Sequence, residues 1–127
     1  GFQRFASGEG LDDKRAAACR RIIAAVRAHP YMVAGAKRFC TELMEAVPRA
    51  FVKVGAEGVY CCAVPHAGIG VAMKIEDGAS RGAEVAVARV LAELDCWTNE
   101  EKSALEDMTR HTLTNWRGIE VGEVRAV

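Results

Sequence analysis

The sequence predicts an α+β fold, an antiparallel β-sheet packed by helices, and three observations carry that prediction. Up to residue 47 the apolar side chains recur with helical spacing. Between residues 50 and 75 they fall into three short runs that read as strands. Beyond residue 80 the helical spacing returns. The connections between the three runs are too short to hold a crossover helix, so the strands form an antiparallel meander. A sheet with one apolar face needs a cover, and the flanking helices supply it.

The elements follow in order. The first ten residues, with Gly8 and Gly10 close together, read as irregular. Asp12 or Asp13 then offers an N-cap to a helix whose Cys19, Ile22, Ile23 and Val26 follow the i, i+3, i+4, i+7 rule. Lys14, Arg20, Arg21 and Arg27 cover its other faces, and His29-Pro30 ends it, because proline disfavours helical geometry in the residue before it. "YMVAGAKR" reads as a loop, and "RFCTELMEAV" as a shorter helix with Phe39, Leu43 and Val47 at fourfold spacing and Pro48 just past its end.

The strands are "AFVKVG", "GVYCCAV" and "GIGVAMKI", joined through Ala56-Glu57-Gly58 and through "PHAG". In the third, Ile69, Val71, Met73 and Ile75 share one face. The expected cover is "SRGAEVAVARVLAELD", with an apolar stripe of Ala83, Val87, Val90, Leu91 and Leu94. Thr98 followed by Glu101 is a capping-box signature for a further helix, with Leu105 and Met108 facing inward. Ile119, Val121 and Val124 suggest one last strand, interrupted by Gly122, which Asn115 and Trp116 are expected to pack back on the sheet.

At 127 residues, 1–127 reads as a single domain or domain fragment with one core. The formal charge is zero, so no nucleic-acid partner is expected, and the basic cluster "KRAAACRR" reads as the wet side of a helix. No apolar run approaches the roughly 20 residues of a membrane span, and "GFQRFASGEG" lacks the pattern of a signal peptide. The cysteines are five, two of them adjacent, with no C-x-x-C pair. That spacing fits neither a disulfide framework nor a zinc ribbon, and it points to reduced thiols in a cytoplasmic protein.

Lys53 is the first candidate for chemistry. Val52 and Val54 facing the core would put Phe51, Lys53 and Gly55 on the other face. An ammonium there is either a solvated strand residue or a cation aimed at a substrate, since an unpaired buried charge is too costly. Lys-x-Gly at a strand end sets the cation beside a position without a Cβ, where a ligand can approach the backbone. The arrangement resembles the Lys-Thr-Gly box of serine β-lactamases and penicillin-binding proteins. Lys74 lacks a following glycine and reads as solvated; Cys61 and Cys62 put one thiol on each face of the strand, one in the core and the other toward the cleft. His29, His66 and His111 have no ligand spacing, so no metal site is expected from this chain.

Longer wording is more specific. "MVAG", "RFCTELM", "KVGAEGVYC", "KIEDGA" and "TNWRGIEVGE" together resemble the C-terminal part of the rhizobial-type L-asparaginases, the asparaginase II family, from about Arg21 to Arg125. The resemblance implies a fold related to the serine β-lactamases and an amidohydrolase that converts L-asparagine and water to L-aspartate and ammonia. It implies a serine nucleophile in a Ser-x-x-Lys motif and, in the complete enzyme, zinc held near the site by a Cys-x-x-Lys element. Neither motif occurs here: the serines stand in Ser7-Gly-Glu-Gly, Ser80-Arg-Gly-Ala and Ser103-Ala-Leu-Glu. The expectation is therefore an upstream segment or partner chain that carries the serine, in a homo-oligomeric enzyme.

By the same resemblance Lys53 and Cys40 are the catalytic-site residues, Lys53 as an electrostatic element. Cys40 is either site-lining or a packing residue of its helix. Gly55, Glu57 and Gly58 would shape the substrate-binding loop, with Glu57 equally readable as a plain turn carboxylate. The alternative to an enzyme is a non-catalytic binding or regulatory module that kept this part of the fold.

Overall fold

A computed structural model describes residues 1–126 and contains six α-helices and five strands in two antiparallel sheets. Helices α1 (Phe2–Ser7), α2 (Asp13–Ala28), α3 (Pro30–Ala34) and α4 (Phe39–Ala46) precede β1 (Phe51–Val54), β2 (Val59–Val64) and β3 (Ile69–Lys74). Helices α5 (Ser80–Ala92) and α6 (Asn99–Asp107) and a hairpin of β4 (Arg110–Thr114) and β5 (Glu120–Arg125) follow. The first sheet is the expected meander in the order β1-β2-β3, and helices flank it.

Register decides which residues meet. Val52 lies opposite Cys62, and Cys62 opposite Val71, on the face that receives α4 and α5. Leu43, Met44 and Val47 of α4, Ala83, Val87 and Leu91 of α5, and Leu105 of α6 complete one core with Val52, Tyr60, Cys62 and Val64. These residues are at most 1 % exposed. Each buried aliphatic side chain stabilises the fold by about 1.5–3 kcal/mol, and truncating Leu91 to alanine would cost about 2–5 kcal/mol.

The opposite face is covered over one row only. Phe51, Ala63 and Gly70 are aligned across the strands, and α1 lies over them. Phe2 and Phe5 stand 5.9 and 5.4 Å from the Phe51 ring, so Phe51 is buried. Gly70 permits this approach: a Cβ there would fall 2.1 Å from the Gln3 backbone nitrogen. The segment expected to be irregular is thus a helix, closed by Gly8 in the left-handed conformation. Its signal lies in long-range aromatic contact, which spacing within ten residues does not reveal.

Asp12 is the N-cap of α2, its side chain accepting from the Arg15 N–H at 3.0 Å. The α2 stripe is only partly used: Ile23 is buried and Val26 packs on the core, while Ile22 remains 51 % exposed. Pro30 ends α2 and also opens α3, at the first helical position where its missing N–H costs nothing. The expected loop at Tyr31–Ala34 is therefore helical. In α5, Ala83, Val87 and Leu91 are buried as expected, but Val90 faces solvent.

The capping box of α6 forms as predicted, with Thr98 and Glu101 exchanging bonds. Glu101 also accepts from the Arg49 guanidinium, which donates on to the Cys96 carbonyl at 3.0 Å and lies 5.8 Å from the centre of the Trp97 ring. Arg49 holds the Glu101 carboxyl below the usual carboxylate range despite its burial. One carboxylate thus fastens the start of α6 to the chain entering β1.

The C-terminal prediction is corrected. Two strands form, not one, and they pair with each other rather than joining the meander. Asn115 builds their turn, its Oδ1 accepting from the N–H groups of Arg117 and Ile119 at 2.9 and 3.1 Å. Trp116 is fully exposed and packs on nothing in the sheet. His111 lies in β4.

Candidate functional site

Lys53 follows Phe51 along the outward face of β1, one row beyond α1. Its neighbours in that row are Cys61 and Ala72. The ammonium is exposed and donates to the Val54 carbonyl at 2.6 Å, and Lys53 makes no ion pair among the described residues. Lys74 is likewise exposed and donates to the Ile75 carbonyl. The sheet therefore presents an uncompensated cation on a row that α1 leaves open.

The turn after Lys53 has a packing explanation of its own. The Gly55 N–H donates to the Val59 carbonyl at 2.7 Å, and both Glu57 and Gly58 have positive φ, 56° and 70°. The Gly58 carbonyl accepts from the Ile75 N–H at 3.0 Å. A Cβ on Gly58 would stand 3.1 Å from the Gly78 carbonyl carbon and 3.2 Å from Ile75 Cβ. Gly58 is thus where the β1–β2 turn closes on the β3–α5 turn, while the Glu57 side chain is exposed.

Cys40 sits in the first turn of α4, 1 % exposed. Burial pushes its thiol up; a backbone hydrogen bond from Val54 and the charge of Lys53 pull the other way without prevailing. At neutral pH it is a neutral thiol wedged between α4 and the end of β1. Cys62, also buried, is pushed up for the same reason. Lys53 and Cys40 are therefore electrostatic neighbours, whereas Glu57 and Gly58 meet the β3–α5 turn and Gly55 packs on Val59.

Beside Cys40 lies a group that spacing alone did not single out. Tyr60, 1 % exposed, donates its hydroxyl to Glu84 Oε1 at 3.2 Å. Burial raises the phenol's pKa and Glu84 raises it further, so it remains a donor. Glu84 is half-buried and lines a cavity of about 340 Å³ with Lys37, Arg38, Glu42, Asp107 and Arg110. None of these six is in an ion pair among the described residues. Two signals were present in the sequence: a tyrosine on the core face needs an acceptor, and Glu84 is the one acidic residue of "SRGAEVAVARV".

His66 is exposed, yet its Nε2 lies 2.9 Å from the Cys96 carbonyl and its ring meets Trp97 edge-on. Among the described residues no three His, Cys, Asp or Glu side chains gather to hold a metal ion, and no cysteine begins a Cys-x-x-Lys element. No helix among the described residues is long and apolar enough to cross a membrane. No curated protein matches the chain. The family model of L-asparaginase II matches residues 1–126.

Proposed function

Because the chain belongs to the L-asparaginase II family, we propose that the protein is an L-asparaginase, or the C-terminal part of one. The match over residues 1–126 is the observation that carries this reading. The reaction attacks the side-chain amide of L-asparagine with a serine oxygen; the amide C–N bond breaks and ammonia leaves with the transferred proton. Water then cleaves the aspartyl ester, releasing L-aspartate and restoring the serine. Ser7, Ser80 and Ser103 stand outside any Ser-x-x-Lys motif, so the nucleophile is assigned to an upstream segment or partner chain.

Lys53 is proposed as the charge this chain contributes. Its support is twofold: the cation has no counter-ion among the described residues, and it stands on an open row of the sheet where an added wall would enclose it. Enclosure matters, because a fixed positive charge stabilises a developing oxyanion far more in a water-excluded site than in bulk solvent. Cys40, buried and neutral, is proposed as the packed support behind that row. The turn of Gly55, Glu57 and Gly58 is proposed as its rim. Five unpaired cysteines favour a reducing, cytoplasmic setting.

Ammonia release from L-asparagine tests the proposal. The 127-residue chain alone should be silent, and activity should appear when a segment carrying Ser-x-x-Lys is supplied. Silence of the assembled protein would favour the second reading, a binding or regulatory module, to which the absence of Ser-x-x-Lys from this chain already gives a foothold.

A further inference from the structure

The cavity at Glu84 combines three properties. It is small, about 340 Å³, it carries both signs of charge on its wall, and its charges are not spent on one another. Arg38 and Glu84 are both within electrostatic reach of Cys40 and of Tyr60, so they face a shared volume, yet they form no ion pair. A merely solvated groove explains exposed side chains such as Arg38 and Glu42. It does not explain Glu84, which is half-buried and held by the hydroxyl of a tyrosine that is 1 % exposed. That bond fixes one carboxylate oxygen and leaves the other to accept from a ligand.

We propose that this cavity binds a free α-amino acid, its ammonium on Glu84 and its carboxylate on Arg38 and Arg110. A zwitterion is the ligand that satisfies both signs at once; a plain anion or cation would meet a like charge, because Glu84 and Arg38 cannot both be opposite to it. Arginine suits the carboxylate end, since its planar fork matches two oxygens. The volume suits a ligand of amino-acid size. The site does not include Lys53. It rests on the amidohydrolase reading only in the choice of probe, L-aspartate, which that reaction would release.

The experiment titrates L-aspartate into the intact 127-residue chain by isothermal calorimetry, with amide chemical shifts of Arg38 and Glu84 followed by NMR. Saturable binding is expected, together with shifts at both residues. Succinate, which lacks only the ammonium, and β-alaninamide, which lacks the carboxylate of asparagine, should each bind at least about tenfold more weakly. Glu84→Gln should weaken L-aspartate about tenfold while succinate, relieved of a like charge, binds no more weakly than before, and an unaltered Tm establishes that the variant is folded. Arg38→Gln should weaken L-aspartate similarly without perturbing the Tyr60 contact. Absence of saturable binding, equal binding of succinate, or an unchanged affinity in folded Glu84→Gln would overturn the proposal. Ammonia release is read separately on the assembled protein, so binding of the amino acid by the chain with no turnover in the assembly sinks the enzyme reading alone, and turnover in the assembly with no binding by the chain sinks this site alone.

Discussion

Gly58→Ala tests the description of the β1–β2 turn most sharply. Gly58 has φ 70°, a left-handed conformation that costs a residue with a Cβ about 1–2 kcal/mol. The added methyl would also meet Gly78 backbone at 3.1 and 3.2 Å, where nothing rotates away, and such overpacking costs about 1–3 kcal/mol. Against these stands the stiffening of the unfolded chain, about 0.4–1 kcal/mol in favour of alanine. The net loss is about 2–3 kcal/mol, or a fall in Tm of about 10 °C for a domain of this size. Urea unfolding followed by far-UV circular dichroism reads it, with an unchanged slope assigning the shift to stability. The adjacent Glu57 gives the control: its φ of 56° is strained for glutamate, so Glu57→Gly should be neutral or stabilising within about 0.5 kcal/mol. A neutral Gly58→Ala, or a Glu57→Gly as damaging as Gly58→Ala, would refute the reasoning.

Other predictions concern the core, the helix α1 and the α6 cap. Glu101→Gln should lower Tm at neutral pH, since Arg49 holds this carboxyl low. A depressed folded-state pKa gives stability that is full above the unfolded value of about 4.3 and is lost as pH falls through the folded value, so the gap between variant and parent should close in acid. A gap that persists there would contradict the ion pair. Thr98→Ala, which removes only the other half of the capping box, should cost about 1 kcal/mol in the same urea assay. Iodoacetamide at neutral pH should label Cys19 and Cys61 well before Cys40 and Cys62, by peptide mass spectrometry; early labelling of Cys40 would mean that α4 opens. Gly70→Ala should release α1, speeding proteolysis of residues 1–10 while the meander core persists; unaltered proteolysis would show that Gln3 does not rest on Gly70.

The meander, the two long helices and the capping box were legible because each depends on local periodicity or a fixed offset: alternation in "GVYCCAV", the Ala83–Val87–Leu91 stripe, Thr98 with Glu101. Helix α1 was not, because Phe2 and Phe5 are organised by Phe51, nearly fifty residues away. The hairpin strand β4 was hidden for a different reason. "RHTLT" is polar and exposed on nearly every residue, so nothing in its pattern marks a buried face. Of the candidate site, Lys53 and Gly58 stood out through residue type and neighbouring glycines. The Tyr60–Glu84 pair joins a strand to a helix across 24 residues, and only the packing of α5 on the sheet brings it together.

Lys53 is proposed as the cation that this chain lends to an amide-cleaving site. The direct measurement is turnover of L-asparagine, as ammonia released, by the assembled enzyme and its Lys53→Ala variant at matched Tm. Because Lys53 is exposed and pairs only with its neighbour's carbonyl, stability should not change, while kcat should fall about 100-fold or more. Parental turnover in the folded variant would contradict the assignment.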